Sequence, residues 1–290
     1  LMQQLIFSVD KISSFAGIGE NDYTLKLAIF HTLFNLLGLV LMTPFISKLV
    51  ILLERFVRLK KAVYGAPKYL NNAVLEIPDA AVETVRKEII HLYQTSFSII
   101  AAGIAVPRTV IGSDRDLGTF INKTKHISAV DVEEYYEQHI KTLYSAIIEF
   151  MSRLQAQKIP EYTVTELYNM RQASREIVEA VKGVKHLRSN LERFAVSDNT
   201  YIRDEYNIIR LELATILRKV ARMAEKSGDT ETILSLDTAK VRLREQDRRV
   251  NTILTDLIHK QKISAYMATS LMNDSAYTYA IGNSIINMAQ

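Results

Sequence analysis

A chain of 290 residues allows one to three domains, and 23% charge at a mean hydropathy of +0.02 averages an apolar first fifth with a charged remainder. The absence of Cys excludes disulfides and thiolate metal sites, and a formal charge of +4 is too small to coat the surface for nucleic acid. Ten Gly and five Pro, among many Ala, Leu, Ile, Glu, Lys and Arg, predict an all-α protein.

The chain opens on Leu1 rather than Met, so further sequence is expected before it. LMQQLIFSV reads as the tail of an apolar helix, and SSFAGIGENDY as a loop rich in Gly, Ser and Asn. From Leu27 to Ser47 no Asp, Glu, Lys or Arg occurs. At roughly 1.5 Å per helical residue, this run spans about 30 Å, one bilayer core. The run starts too late and is too long for a secretory signal. Lys48, Arg55, Arg58, Lys60 and Lys61 follow it against the single Glu54, which sets the C-terminal side in the cytoplasm. Pro44 lies within the run, at a depth where a membrane helix tolerates proline, and the helix is expected to emerge near Arg55.

Residues 1–60 form the membrane segment in this reading, and 61–78, with Gly65, Pro67 and Pro78, a linker. From 79 to 290 long amphipathic helices follow. Val82, Val85, Ile89, Leu92 and Ile99 mark the first, and a polar linker covers about 107–129. Tyr136, Ile140, Leu143, Ile147, Phe150 and Leu154 mark the second, which Pro160 ends. The third runs from about Val164 to Phe194, and the fourth from Ile202 to Met223, stopped at Ser227-Gly228-Asp229. Leu236 to Leu257 marks the fifth and Met267 to Met288 the sixth. Short connections make neighbours antiparallel, so the expected architecture is a bundle of about six long helices, divided into two three-helix units.

Few residues carry the marks of chemistry. His31 and Asn35 lie four apart on one face of the apolar helix; polar groups at that depth either line a substrate path or hydrogen-bond across a helix interface. Asp274 falls on the apolar stripe of the last helix, where a carboxylate must be paired, protonated or liganded to a metal; an Arg or Lys of another helix is its expected partner. Glu133 and Glu137 are an i, i+4 carboxylate pair, a candidate for a divalent metal but better read as a solvated face. Arg242, Arg244, Arg248 and Arg249, interleaved with Glu245 and Asp247, read as a salt-bridged exposed face. No nucleophilic triad, phosphate-cradling Gly loop or zinc spacing occurs, so no enzyme is expected.

The order of several segments resembles one family. His31-Thr32-Leu33-Phe34-Asn35 is similar to the His-x-x-Phe-Asn segment that opens a transmembrane helix in sodium-dependent phosphate cotransporters of the Na/Pi type. PKYLNNAVLEIPDAAVETVRKEI resembles the junction to the PhoU-like cytoplasmic domain that bacterial members carry. VKHLRSNLERF with YIRDEYNIIR resembles the middle of that domain, and TSLMNDSAYTYAIGNSI its final helix. The resemblance implies the C-terminal portion of a symporter in the plasma membrane, with inorganic phosphate as substrate and sodium as coupling ion. It implies transporter repeats preceding this segment, a supporting role for His31 and Asn35 at the ion site, a cytoplasmic regulatory bundle, and leaves a homodimer open. The chain departs from the family in two places. No Gln-Ser-Ser-Ser motif is present, and His186-Leu187-Arg188-Ser189-Asn190 stands where PhoU proteins carry the Glu/Asp-x-x-x-Asp metal motif. The alternative on the residues alone is a single-span signalling or scaffold protein with a cytoplasmic helical bundle.

Overall fold

The computed structural model describes residues 2–19, 21–46, 48–49, 65–124, 126–127, 130–226 and 230–290. The described residues are helical with no strand among them, and the chain divides into two compact units, Leu1–Ala62 and Val63–Gln290. The basic flank at Arg55, Arg58, Lys60 and Lys61, and the stop at 227–229, lie outside the described residues.

The first unit is a helical hairpin of α1 (Met2–Phe15) and α2 (Tyr23–Met42). Asp22 caps α2 by accepting from the Leu25 amide at 3.2 Å. The helices run antiparallel: Lys26 Nζ pairs with Asp10 at 3.2 Å, while Leu5 and Ser8 share a cleft with Leu33, Leu37 and Val40. Pro44 does not continue the α-helix. Lacking an N–H for the next ladder bond, it sits in a 3-10 turn, Thr43–Phe45, and Thr43 Oγ1 donates back to Leu39 O at 2.6 Å. Tyr23–Phe45 is long and apolar enough to cross a membrane, and none of its apolar window is buried.

The second unit holds the core. It contains α3 (Pro78–Gly103), α4 (Arg108–Ile111), α5 (Leu117–Lys123), α6 (Val132–Tyr135), a π-helical turn (Tyr136–Ile140) and α7 (Lys141–Gln155). Then come α8 (Glu161–Phe194), α9 (Thr200–Lys226), α10 (Thr230–His259) and α11 (Ala265–Ala289). Residues on the expected stripes are buried, among them Val85, Leu92, Ile147, Leu154, Leu167, Val184, Leu213 and Leu271. Each such side chain removed from water contributes on the order of 1.5–3 kcal/mol.

The expected division into two three-helix units does not occur. The central helix α8 packs on α3 and on α11, which in turn packs on α9 and α10, giving one continuous apolar core. Gly183 and Gly282 let these helices approach closely: a Cβ on Gly183 would meet Ile281, and one on Gly282 would meet Leu243.

Of the stretch 107–129, expected as a polar linker, residues 107–124 are built into this core through Val110, Ile111, Leu117 and Ile121. Arginines hold it in place. Arg188 of α8 donates to the carbonyls of Gly103 at 2.8 Å and Ala102 at 3.2 Å. Arg210 of α9, wholly buried, donates to Ile104 at 3.0 Å, Ala105 at 2.9 Å and Asn207 Oδ1 at 3.0 Å. Two turns further along α9, Arg218 takes the carbonyls of Val110, Ile111 and Arg115 at 2.8–2.9 Å. Helix C-termini leave carbonyls unpaired and carry partial negative charge, so the cations satisfy both needs at once. Burial, then the charge of Arg188, lowers Arg210 to about 10, and it remains a cation at neutral pH.

Candidate functional site

On α2 the residues facing α1 recur as Lys26, Leu33, Leu37 and Val40. At 3.6 residues per turn, His31 and Asn35 fall about 160° from that stripe, on the opposite side. Both are exposed within the first unit, and Ala28 and Gly38 share their face. A polar pair on an otherwise apolar helix suits contact with another helix. Around it Leu27, Phe34, Leu39, Met42 and Phe45 are more than half exposed, an apolar surface of the kind that marks an interaction site.

The segment leading from residue 65 into the bundle is fastened at two points. Gly65 has φ +79°, and a Cβ there would stand 2.6 Å from His139 O, so only glycine lets this backbone lie against the π-helical turn. Further on, the fully buried Glu88 accepts from the amides of Tyr69 at 2.6 Å and Leu70 at 3.2 Å. Its other oxygen meets His91 Nδ1 at 2.7 Å. Residues 65–78 are thus packed on α3, not free between domains.

Asp274 is buried, as its place on the stripe of α11 requires, but its partner is not a cation. Tyr206 Oη donates to it at 2.5 Å and Asn190 supplies a second hydrogen bond. Burial raises the Asp274 carboxyl above the usual range, opposed by these two donors. Tyr206 is held to its proton by burial and then by the facing carboxylate. A neutral hydroxyl and amide take the place of the expected Arg or Lys.

Glu133 and Glu137 each face a lysine: Lys185 lies 2.6 Å from Glu133, and Lys141 lies 2.7 Å from Glu137. Among the described residues no group of three or more His, Asp or Glu is arranged to hold a metal. Neither pair gathers with Asp274. In the basic run of α10, Arg242 and Arg249 are the arginines with an ion pair among the described residues, and both pair across helices. Arg249 pairs with Glu205 of α9, Arg242 stands 3.9 Å from Glu212, and Asp247 accepts from Ser275 of α11 at 2.8 Å.

Two carboxylates escape a reading based on pairs and runs: Glu88 and Glu212. Each sits on an apolar stripe, Glu88 between Val85 and Leu92 and Glu212 between Ile209 and Ile216. The criterion that singles out Asp274 finds both. Glu212 is 6% exposed and lines a small cleft between α9 and α10, and burial pushes its carboxyl up to about 7, with Arg242 and Arg249 opposing.

No protein-family model, curated protein or solved structure matches this chain.

Proposed function

We propose that this chain is the C-terminal portion of a sodium-dependent phosphate symporter of the Na/Pi type, and that its bundle is a PhoU-like regulatory domain on the cytoplasmic side of the plasma membrane. The observation that carries this reading is α2: an apolar helix of spanning length, unburied, with His31 and Asn35 aligned on the face away from α1. A plain anchor needs no such pair. In a transport core that face packs on the two inverted repeats, where phosphate and sodium bind near the midplane and one repeat moves against the other. His31 and Asn35 support that site from the flanking helix. The segment order given by the resemblance, from His31 through the junction at 67–89 to the last helix, is the second support.

The bundle contributes shape in this reading, not chemistry. Its junction is fastened to α3 through Glu88, so a change in how α3 packs is felt at the segment that leads from the membrane unit. Uptake into vesicles made from the full protein tests the proposal. Phosphate accumulation that requires sodium, and that falls at least about tenfold (~1.4 kcal/mol) in Asn35→Leu with normal membrane insertion, is expected. Uptake indifferent to sodium rejects it.

One observation favours a second reading. A single candidate span among the described residues is also what a membrane-anchored signalling or scaffold protein carries. Coding sequence ahead of Leu1 separates the two: apolar spans with a Gln-Ser-Ser-Ser motif belong to transport, an extracellular sensor domain to signalling.

A further inference from the structure

The cleft between α9 and α10 has a volume of about 110 Å³ and is lined by Glu212, Thr215, Lys219, Thr238 and Arg242 over a floor of Ile216, Ala239 and Leu243. Since about 10–15 Å³ suffices for one water, it accommodates several waters or one compact polar ion. Three of its groups have capacity to spare. Lys219 spends one of three donors, on Ser235 O at 3.0 Å. Arg242 stands 3.9 Å from Glu212 Oε1 and makes no hydrogen bond among the described residues. Glu212 is more than nine-tenths buried, and its Oε2 has no hydrogen-bond partner there. A buried carboxylate oxygen without a donor costs about 1–3 kcal/mol or more, so such a group calls for one.

A ligand for this cleft must meet two opposite demands. Lys219 and Arg242 ask for anionic acceptors; Glu212, acceptor-only when ionised, asks for a proton donor. A metal cation takes the lone pair of Glu212 but is repelled by Lys219 and Arg242, the two cations that line the site. A fully ionised oxyanion such as sulfate offers acceptors alone and sets a lone pair against Glu212. An oxyanion that keeps a proton near neutral pH offers both.

We propose that the α9–α10 cleft is a binding site for inorganic phosphate, held by Lys219 and Arg242 and selected by a hydrogen bond from its protonated oxygen to Glu212. The choice of phosphate as the protonated oxyanion rests on the symporter reading; the donor and acceptor pattern does not. Glu205 and Arg249 flank the site on the same two helices and are paired with each other. The bound ion bridges α9 to α10, and so ties the bundle's packing to the phosphate concentration around it.

The test is calorimetric titration of the full chain in detergent with inorganic phosphate and with sodium sulfate, at about pH 8. At that pH Glu212 is ionised, phosphate still carries a proton and sulfate carries none. Phosphate binding at least about tenfold tighter than sulfate (~1.4 kcal/mol) is expected. Lys219→Gln and Arg242→Gln should each weaken phosphate at least about tenfold with unchanged helicity. Glu212→Gln, whose amide donates to either ion, should bring the two affinities together. Equal affinities in the wild type, no binding, or full binding by both Lys219→Gln and Arg242→Gln overturns the site. Sodium-dependent uptake without phosphate binding by the chain removes this site and leaves the symporter reading standing; binding without such uptake does the reverse.

Discussion

The two units solve the same problem, apolar helices, in opposite ways. In the second, stripes of Leu, Ile and Val meet each other, and the polar groups trapped among them are mostly given partners: Arg210 takes carbonyls, Asp274 a tyrosine, Glu88 two amides. In the first, α2 buries none of its residues, and its polar pair looks away from its one described neighbour. A water-soluble domain hides apolar surface and exposes polar groups. Here the hairpin exposes apolar surface along the whole of α2.

The contrast makes its largest claim on Arg210. If the second unit is a conventional packed core, Arg210→Ala leaves the carbonyls of Ile104 and Ala105 without donors in a dry interior. A loss of about 3–5 kcal/mol in urea unfolding of the full chain in detergent is expected. A loss below about 1 kcal/mol would mean the end of α3 is satisfied without it.

A matched pair of lysines tests directly whether the two surfaces meet different solvents. Leu39 and Val241 are both exposed, at 62% and 56%. Leu39→Lys should cost about 2.5–3.5 kcal/mol of membrane insertion, read as the inserted fraction in a translocation assay. Val241→Lys, on the surface of the bundle, should alter stability by no more than about 0.5 kcal/mol. Equal effects would remove the distinction between the two surfaces.

The smallest of these effects concerns Glu212 and depends on pH. Its carboxyl, pushed up to about 7, binds its proton more tightly folded than unfolded. Stability therefore declines as pH rises through the window from about 4 to about 7, and the loss persists above it. Glu212→Gln removes that decline. In phosphate-free buffer it should match the wild type near about pH 4 and exceed it by about 2–3 kcal/mol near about pH 8, measured by urea midpoints.

Much of the helical order is legible in sequence because a step of three and four leaves a stripe that only a helix can gather on one face. The third long helix, expected from about Val164 to Phe194, runs Glu161–Phe194 for that reason. The segment 107–129 is not legible in the same way. Its buried side chains, Val110, Ile111, Leu117 and Ile121, belong to helices of four and seven residues, too short to show a period. What holds them comes from about a hundred residues away, on Arg218.

The candidate sites divide along the same line. That His31 and Asn35 share a face follows from their spacing; that the face points away from α1 needed the hairpin. That Asp274 is buried follows from its stripe; that a tyrosine receives it needed the packing of α9 against α11. Sequence alone determined the all-helical class, the apolar run of spanning length and the places where polar residues interrupt apolar stripes. These are properties of a residue and its near neighbours in the chain. Tertiary structure alone decided the partners of Glu88, Asp274, Arg210 and Glu212, and merged two expected three-helix units into one core. Partnership at a distance is set by which helices share an interface, and local spacing carries no record of that.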